Sequence, residues 1–507
     1  MPQPRNDRWS LRSASSTAAG PVLFLLIWAA PRPAGLSVEG GETLAVAAWM
    51  ATWWLTIAVP LAVTALLPLV LFPLMGIASP AAAAAPYANP VIFLFMGGFF
   101  IAGAMRRWVL HRRVALAVVA RTGTSPRRLV AGFMLASAFL SMWMSNTAAT
   151  LMMMPIGVAV LGLVEGDGSG GSDRGGATDP SGVDASRRLG TALMLGIAYA
   201  GSIGGVATLI GTPPNAVLAG MADELLGREV SFARWMIVGV PTAVVMLIVG
   251  WGLLARVLYR LDAQPLAGAR AVLEAERAKL GPWGAGERAT AIVFGLTALA
   301  WIFRAPKTIG GVTFPGIQTV LPQVGDATVA MAGALALFLC PVRDADGNVT
   351  RVLDWETARS IPWDILILFG GGLSLASGFE ATGLTKWLGG KLIIFSGLPD
   401  ILVIGAVATL FVLLTEVTSN TATATLGLPV VAALAPGVGV DALPLMITAA
   451  LGASMAFMLP VATPPNAIVF GTGRVEAAEM RRAGLWLNLV AVVVITALVG
   501  LVHRWIA

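Results

Sequence analysis

The chain of 507 residues is poor in charge: Asp, Glu, Lys and Arg together make 12% of it, against 57% hydrophobic residues. Ordinary soluble globular proteins carry about 25% charged residues, so that class is excluded, and a mean hydropathy of +0.81 agrees. The one cysteine, Cys340, excludes an intramolecular disulfide and leaves the redox compartment unread. The two histidines, His111 and His503, sit in a basic segment and at the C-terminus, so no histidine relay runs through the apolar spans. No HExxH, GxSxG or GxxxxGK[ST] pattern occurs, which leaves metalloprotease, nucleophile-elbow and P-loop chemistry without their residues. The chain is not read as an enzyme.

What remains is apolar sequence of membrane-spanning length. Windows such as 43–78, 232–258, 399–414 and 485–502 are nearly free of charge. A crossing needs about 20 residues for about 30 Å of hydrocarbon, and the pattern accommodates about 11 transmembrane helices. The net charge of +6 comes from basic residues between these spans rather than from a basic domain, so the partner is the lipid bilayer and no nucleic acid. "RNDRWSLR" followed by the apolar run 21–30 reads as a first transmembrane helix, because no small-residue cleavage site precedes "PRPAGLS". The expected setting is the cytoplasmic (inner) membrane, multi-pass, with the N-terminus cytoplasmic.

The chain is written twice. "FMGGFFIAGAM" at 95–105 resembles "FGGGLSLASGF" at 369–379, and 50 positions after the first Phe of each comes Ser-Asn-Thr, at 145–147 and 419–421. A third element follows each, "GTPPNAVLAG" at 211–220 and "ATPPNAIVFG" at 462–471. Asn146 to Asn215 is 69 positions and Asn420 to Asn466 is 46; the 23-residue difference matches the Gly/Ser/Asp-rich stretch 165–187, read as a flexible loop. Segment 106–128 carries seven Arg, whereas its counterpart 380–400 carries two Lys and two acidic residues. The positive-inside tendency places these segments on opposite sides, so the repeats should have inverted topology.

The expected organisation is an all-α polytopic membrane protein: a cytoplasmic N-terminal tail over 1–20, scaffold helices over 21–88, and a first inverted repeat over 89–260. That repeat divides into an interfacial basic helix 106–128, a re-entrant hairpin 129–164, the loop 165–187 and a broken helix 189–227. A cytoplasmic linker 261–288 and scaffold helices with a loop over 289–359 follow. The second repeat, 360–507, holds a re-entrant hairpin 401–436, a broken helix 443–472 and a C-terminal helix.

Chemistry falls on the breaks. Unpaired backbone in lipid costs several kcal/mol per group, so non-helical chain at membrane depth survives only beside protein or a wet cavity. Thr212-Pro213-Pro214 and Thr463-Pro464-Pro465 must interrupt their helices and restart them, since Pro lacks an N–H and suits the first helical turn. The Ser-Asn-Thr tripeptides divide segments too short to cross and read as hairpin tips. Helix N-termini after Thr147, Thr421, Thr212 and Thr463 offer N–H groups to an oxyanion, while hydroxyls, Asn oxygens and freed carbonyls suit a hard cation. Asp364 and Glu416 are the acids in apolar surroundings, and a structural, hydrogen-bonded role is expected for them. A divalent anion entering a negative cell is opposed by about 2.3 kcal/mol per charge per 100 mV, which co-transported sodium offsets.

"SMWMSNTAA", "TEVTSNTATA", "SIGGVATLIGTPPNAV" and "MLPVATPPNAIVFG" resemble the signature segments of the divalent-anion/sodium symporter family, carriers of succinate, other C4-dicarboxylates, citrate or sulfate. The likeness extends to 53–77 and covers most of the chain after residue 20. It implies sodium-coupled dicarboxylate uptake by a homodimer, in which a scaffold domain holds an elevator-like transport domain. It implies a first sodium site at Ser141, Ser145, Asn146 and Gly211, and a second at Thr415, Thr418, Asn420 and Ala462. Substrate carboxylates would meet Asn146, Thr147, Asn420 and Thr421, beside Ser145 and Ser419, with Thr212, Pro213, Thr463 and Pro464 as the floor. Sodium is the only co-transported ion implied, without an organic cofactor. The family often has an acidic residue where this chain has Ile57, and some relatives are sodium-independent exchangers; Ser141 and Thr415 keep the hydroxyls that favour a symporter.

Overall fold

A computed structural model describes residues 11–167, 180–266, 268–309, 312–344, 347–392 and 397–506. Two helices open the chain, α1 (Leu11–Ala29) and α2 (Val38–Thr56), packed on one another and followed by short helical turns between residues 61 and 88. The first repeat comprises α3 (Pro90–Arg107), α4 (Leu110–Thr122), α5 (Pro126–Ser141), α6 (Asn146–Asp167), α7 (Pro180–Gly205), α8 (Pro213–Leu226) and α9 (Phe232–Gly252). Then come α10 (Ala269–Ala278), α11 (Ala285–Ile302), the strand pair β1 (Lys307–Ile309) and β2 (Val312–Phe314), α12 (Asp326–Leu339), and the pair β3 (Pro341–Arg343) and β4 (Val349–Arg351). The second repeat mirrors the first in order: α13 (Trp363–Ala381), α14 (Leu384–Leu392), α15 (Asp400–Leu414), α16 (Asn420–Val438), α17 (Ala442–Gly452), α18 (Pro464–Phe470) and α19 (Ala477–Ile506).

The corresponding helices α3 and α13 run in opposite directions. Phe95 packs on Phe369 at 5.1 Å between ring centres and Phe100 on Trp363 at 6.4 Å. Arg107 bonds Asp354 at 2.5 Å, just ahead of α13. As α3 advances its partners recede along the chain, so the two copies are antiparallel, as an inverted repeat requires.

The repeats also interlock. Helix α8, which restarts after the first TPP, packs on α16, the arm that follows the second hairpin tip. Helix α18, its counterpart, packs on α6. Glycines permit the close approaches: a methyl on Gly204 would collide with the Ala138 backbone of α5, and one on Gly97 would stand 2.7 Å from the Ala330 carbonyl carbon in α12.

Five described helical stretches are long and apolar enough to cross a bilayer, including 232–258 and 477–503. Several boundaries differ from the sequence reading. The tail 1–20 is helical from Leu11, because α1 extends back through "LRSASSTAAG". The segment 106–128 is not one helix: α3 ends at Arg107, Val109 adopts a left-handed φ of 56°, and α4 is a separate helix. The loop 165–187 is shorter than expected, since α6 runs to Asp167 and α7 begins at Pro180, a residue suited to a first turn; 168–179 lie outside the described residues. The hairpins are unequal. Their first arms, 16 and 15 residues, fall short of a crossing as expected, whereas the second arms have 22 and 19, because each helix starts at its Asn and also runs on to Asp167 or Val438. The linker 261–288 contains α10, and the two small strand pairs depart from an entirely helical architecture.

Candidate functional site

Each hairpin tip is a short non-helical step between two arms. In the first, α5 ends at Ser141 and α6 starts at Asn146; in the second, α15 ends at Leu414 and α16 starts at Asn420. Ser145 caps its helix by accepting from Ala148 N at 3.3 Å. Across the step Ser141 Oγ donates to Asn146 Oδ1 at 2.7 Å, and Thr415 Oγ1 approaches Asn420 Oδ1 at the same 2.7 Å. Ser141 and Thr415 are fully buried, whereas Ser145, Asn146, Thr147, Ser419 and Asn420 are half-buried and Thr421 is 9% exposed.

The broken helices supply the other side. Thr212 and Thr463 have extended backbones, with φ of −144° and −138°, immediately before Pro at the first helical position. Both threonines are buried, Pro213 is half-buried and Pro464 is exposed. In the first break a methyl on Gly211 would collide with Gly205 O and lie 2.9 Å from Ser141 O. A methyl on Gly205 would stand 2.5 Å from Asn146 Oδ1 and 3.1 Å from Gly211 O. Carbonyl and amide oxygens therefore crowd around these two glycines. The sequence reading brought in Ser141, Asn146 and Gly211; it missed Gly201 and Gly205, which "GSIGG" just ahead of the break signals.

Hydroxyl, amide and carbonyl groups are drawn together at both tips. The Asn146 side-chain amide lies 2.7 Å from Ser141 Oγ, 3.2 Å from Gly211 O and 3.3 Å from Gly201 O, and its Nδ2 donates to all three when it faces them. Thr415 Oγ1 lies 2.7 Å from both Asn420 Oδ1 and Ala453 O, yet a hydroxyl has one proton. Neutral carbonyl, hydroxyl and amide oxygens converging at a break are the ligand type that a hard, oxygen-seeking cation takes. Among the described residues no cluster of three or more His, Cys, Asp or Glu exists, so a site for a transition metal is without its ligands. In the second cluster Ala453 is the missed contributor. The expected Thr418 is engaged otherwise, with Leu414 O at 2.7 Å and Thr423 Oγ1 at 2.5 Å, and Ala462 is 9% exposed in the break.

The two acids part company. Asp364 is exposed in the first turn of α13. Glu416 is 5% exposed and accepts from Phe457 N at 2.7 Å, Met458 N at 2.9 Å, Leu459 N at 3.2 Å and Asn488 Nδ2 at 2.7 Å. Four N–H donors hold this carboxylate in place and tie the second hairpin to the second break and to α19, the structural role expected for it.

The family model for the sodium:sulfate symporter transmembrane region matches residues 13–507. The chain belongs to the sodium:sulfate symporter family. Within that family it is 44% identical over 495 residues to a sodium-dependent dicarboxylate transporter, SdcS, of Staphylococcus saprophyticus, covering 97% of this chain and 92% of the relative. A Staphylococcus aureus protein of the same name is 43% identical over 484 residues, covering 95% and 89%. Among solved structures the fold resembles the YdaH transporter of Alcanivorax borkumensis, with a TM-score of 0.55 at 16% identity over 97% of each chain. The family's shared region thus contains both hairpin tips and both TPPN breaks.

Proposed function

We propose that the chain is a sodium-coupled symporter that takes up C4-dicarboxylates such as succinate across the cytoplasmic membrane. The observation that carries this reading is the pair of uncharged, oxygen-rich clusters, each sharing its Asn with the start of a hairpin helix. A sodium ion in each cluster leaves Oδ1 of Asn146 or Asn420 facing the ion, and Nδ2 then faces away from it, available to a substrate carboxylate. The first N–H groups of α6 and α16 have no partner within their own helices and carry the positive end of the helix dipole, so they favour the same carboxylates. Sodium and dianion stabilise one another at such a site, because neither is matched by a fixed charge.

The printed names of the SdcS relatives supply the substrate class, and their identity over nearly the whole chain supports its transfer. Movement is proposed to be elevator-like: hairpins and broken helices interlock into one body, while α2, α3, α12 and α13 form the scaffold of a homodimer. The arginine-rich 106–128 faces the cytoplasm in this reading, as does the N-terminus.

Reconstituted protein tests the proposal. Labelled succinate should accumulate in proteoliposomes only under an inward sodium gradient, and equal uptake in choline would overturn coupling. A panel of unlabelled succinate, malate, fumarate, citrate and sulfate then separates a dicarboxylate carrier from a sulfate carrier or an exchanger. Asn146→Ala and Asn420→Ala should each abolish uptake in protein that remains monodisperse.

A further inference from the structure

The last residue of each TPPN, Asn215 and Asn466, is absent from the cation and substrate clusters, yet both side chains are fully buried. Their amides do the same thing in both repeats. Asn215 Nδ2 donates to Gly205 O at 3.2 Å and Thr208 O at 2.7 Å; Asn466 Nδ2 donates to Ala456 O at 3.3 Å and Leu459 O at 3.0 Å. In each case the acceptors lie ten and seven residues back, across the unwound stretch. A backbone that has left its helix keeps its shape only if something holds its freed carbonyls, and here one amide holds two.

In the first repeat a held carbonyl adjoins the cation cluster. Gly205 O is the oxygen that a methyl on Gly211 would strike, in the group that also contains Ser141 O and Asn146 Oδ1. We infer that Asn215 and Asn466 are positioning residues for sodium, each fixing the unwound backbone whose carbonyls complete one site, and that the first site depends on its Asn more than the second. This rests on the symport reading given above.

The inequality follows from Glu416. In the second break the peptide between Ala456 and Phe457 is held at both ends, its C=O by Asn466 and its N–H by Glu416; Leu459 likewise gives its N–H to Glu416 and its C=O to Asn466. In the first repeat the residue equivalent to Glu416, 274 positions earlier, is Met142, which has no carboxylate. In the first break the matching N–H, that of Val206, goes to the Ile203 carbonyl at 3.3 Å and not to a carboxylate, beside the Trp235 Nε1 bond to Val206 O at 2.8 Å and the Thr208 hydroxyl on Met142 O, while Gly205 O is held by Asn215.

The test compares Asn215→Ala, Asn215→Asp, Asn466→Ala and the double variant Asn466→Ala/Glu416→Gln in proteoliposomes, reading the sodium concentration for half-maximal uptake separately from the maximal rate. Asn215→Ala and Asn215→Asp should each raise that concentration at least tenfold, with saturating sodium restoring most of the rate. Asn466→Ala should raise it less than threefold, and the added Glu416→Gln should bring it to the level of Asn215→Ala. Sodium-dependent thermal stabilisation in detergent reads the same ranking without transport. A residue that only supports the fold would lower the maximal rate and the melting temperature while leaving the half-saturating sodium concentration unchanged; that result overturns the inference. Wild-type uptake indifferent to sodium would instead overturn the symport reading.

Discussion

Phe95 and Phe369 are the same residue of the two repeats, and they meet each other. Their rings stand edge to face, 5.1 Å apart and at 90°, with both side chains almost completely buried. Residues related by a two-fold axis touch their own equivalents only on that axis, so this pair marks where the two inverted halves join. Truncating Phe95 or Phe369 to Ala should cost about 3–5 kcal/mol each by cavity formation. A double-mutant cycle should return about 0.5–1.5 kcal/mol of coupling for the aromatic pair. Reversible unfolding in mixed micelles measures both; a coupling of zero would remove the pair from the junction.

Gly211 and Gly205 should not tolerate even one carbon. A methyl at Gly211 drives into Gly205 O, and one at Gly205 lies 2.5 Å from Asn146 Oδ1. Backbone shifts to relieve such contacts would move the oxygens that face the cation. Gly211→Ala and Gly205→Ala should therefore lose sodium-dependent uptake by at least a hundredfold. Gly227→Ala, at a left-handed helix end where a methyl meets nothing within 4 Å, should keep transport and show only a small loss of stability.

Glu416→Gln replaces an acceptor of four N–H groups with an amide that turns donors toward donors. Hydrogen bonds to a buried charge contribute about 1.5–3 kcal/mol each, and an unsatisfied buried group costs about 1–3 kcal/mol. The variant should therefore be less stable by about 2–5 kcal/mol. A melting temperature equal to that of the wild type would show that these bonds do not hold the second break.

Much of this candidate site is legible in the sequence. Duplicated Ser-Asn-Thr and Thr-Pro-Pro-Asn announced the breaks because Pro cannot continue a helix and a polar tripeptide in lipid needs partners, and both features are local. Gly201 and Gly205 show in the sequence only as the cluster "GSIGG", and Ala453 not at all, since it acts through a carbonyl that every residue possesses. Asn215 and Asn466 stand in the TPPN motif without a visible role: a side chain that reaches back ten residues leaves no spacing signature. The second hairpin arms are longer than the sequence suggests because hydropathy marks neither which residue of the tripeptide begins the helix nor where the helix ends past the apolar run. Phe95 facing Phe369 follows from the alignment of the repeats only once the axis is known to pass through that position.

Acidification should weaken the interfacial region around α4. His111 is 7% exposed, and its Nδ1 lies 2.8 Å from Met105 O. Burial lowers its pKa from the ordinary 6.5; the bond to Met105 opposes this, and the charges of Arg106 and Arg112 add to the lowering. The unfolded chain therefore takes up a proton at a higher pH than the folded one. Stability is complete above about pH 6.5, declines as the pH falls below it, and levels off beneath the folded pKa. His111→Gln removes the titration, so its melting temperature should fall less than that of the wild type between pH 7 and pH 5. Parallel curves for the two proteins would show that other groups carry the acid sensitivity.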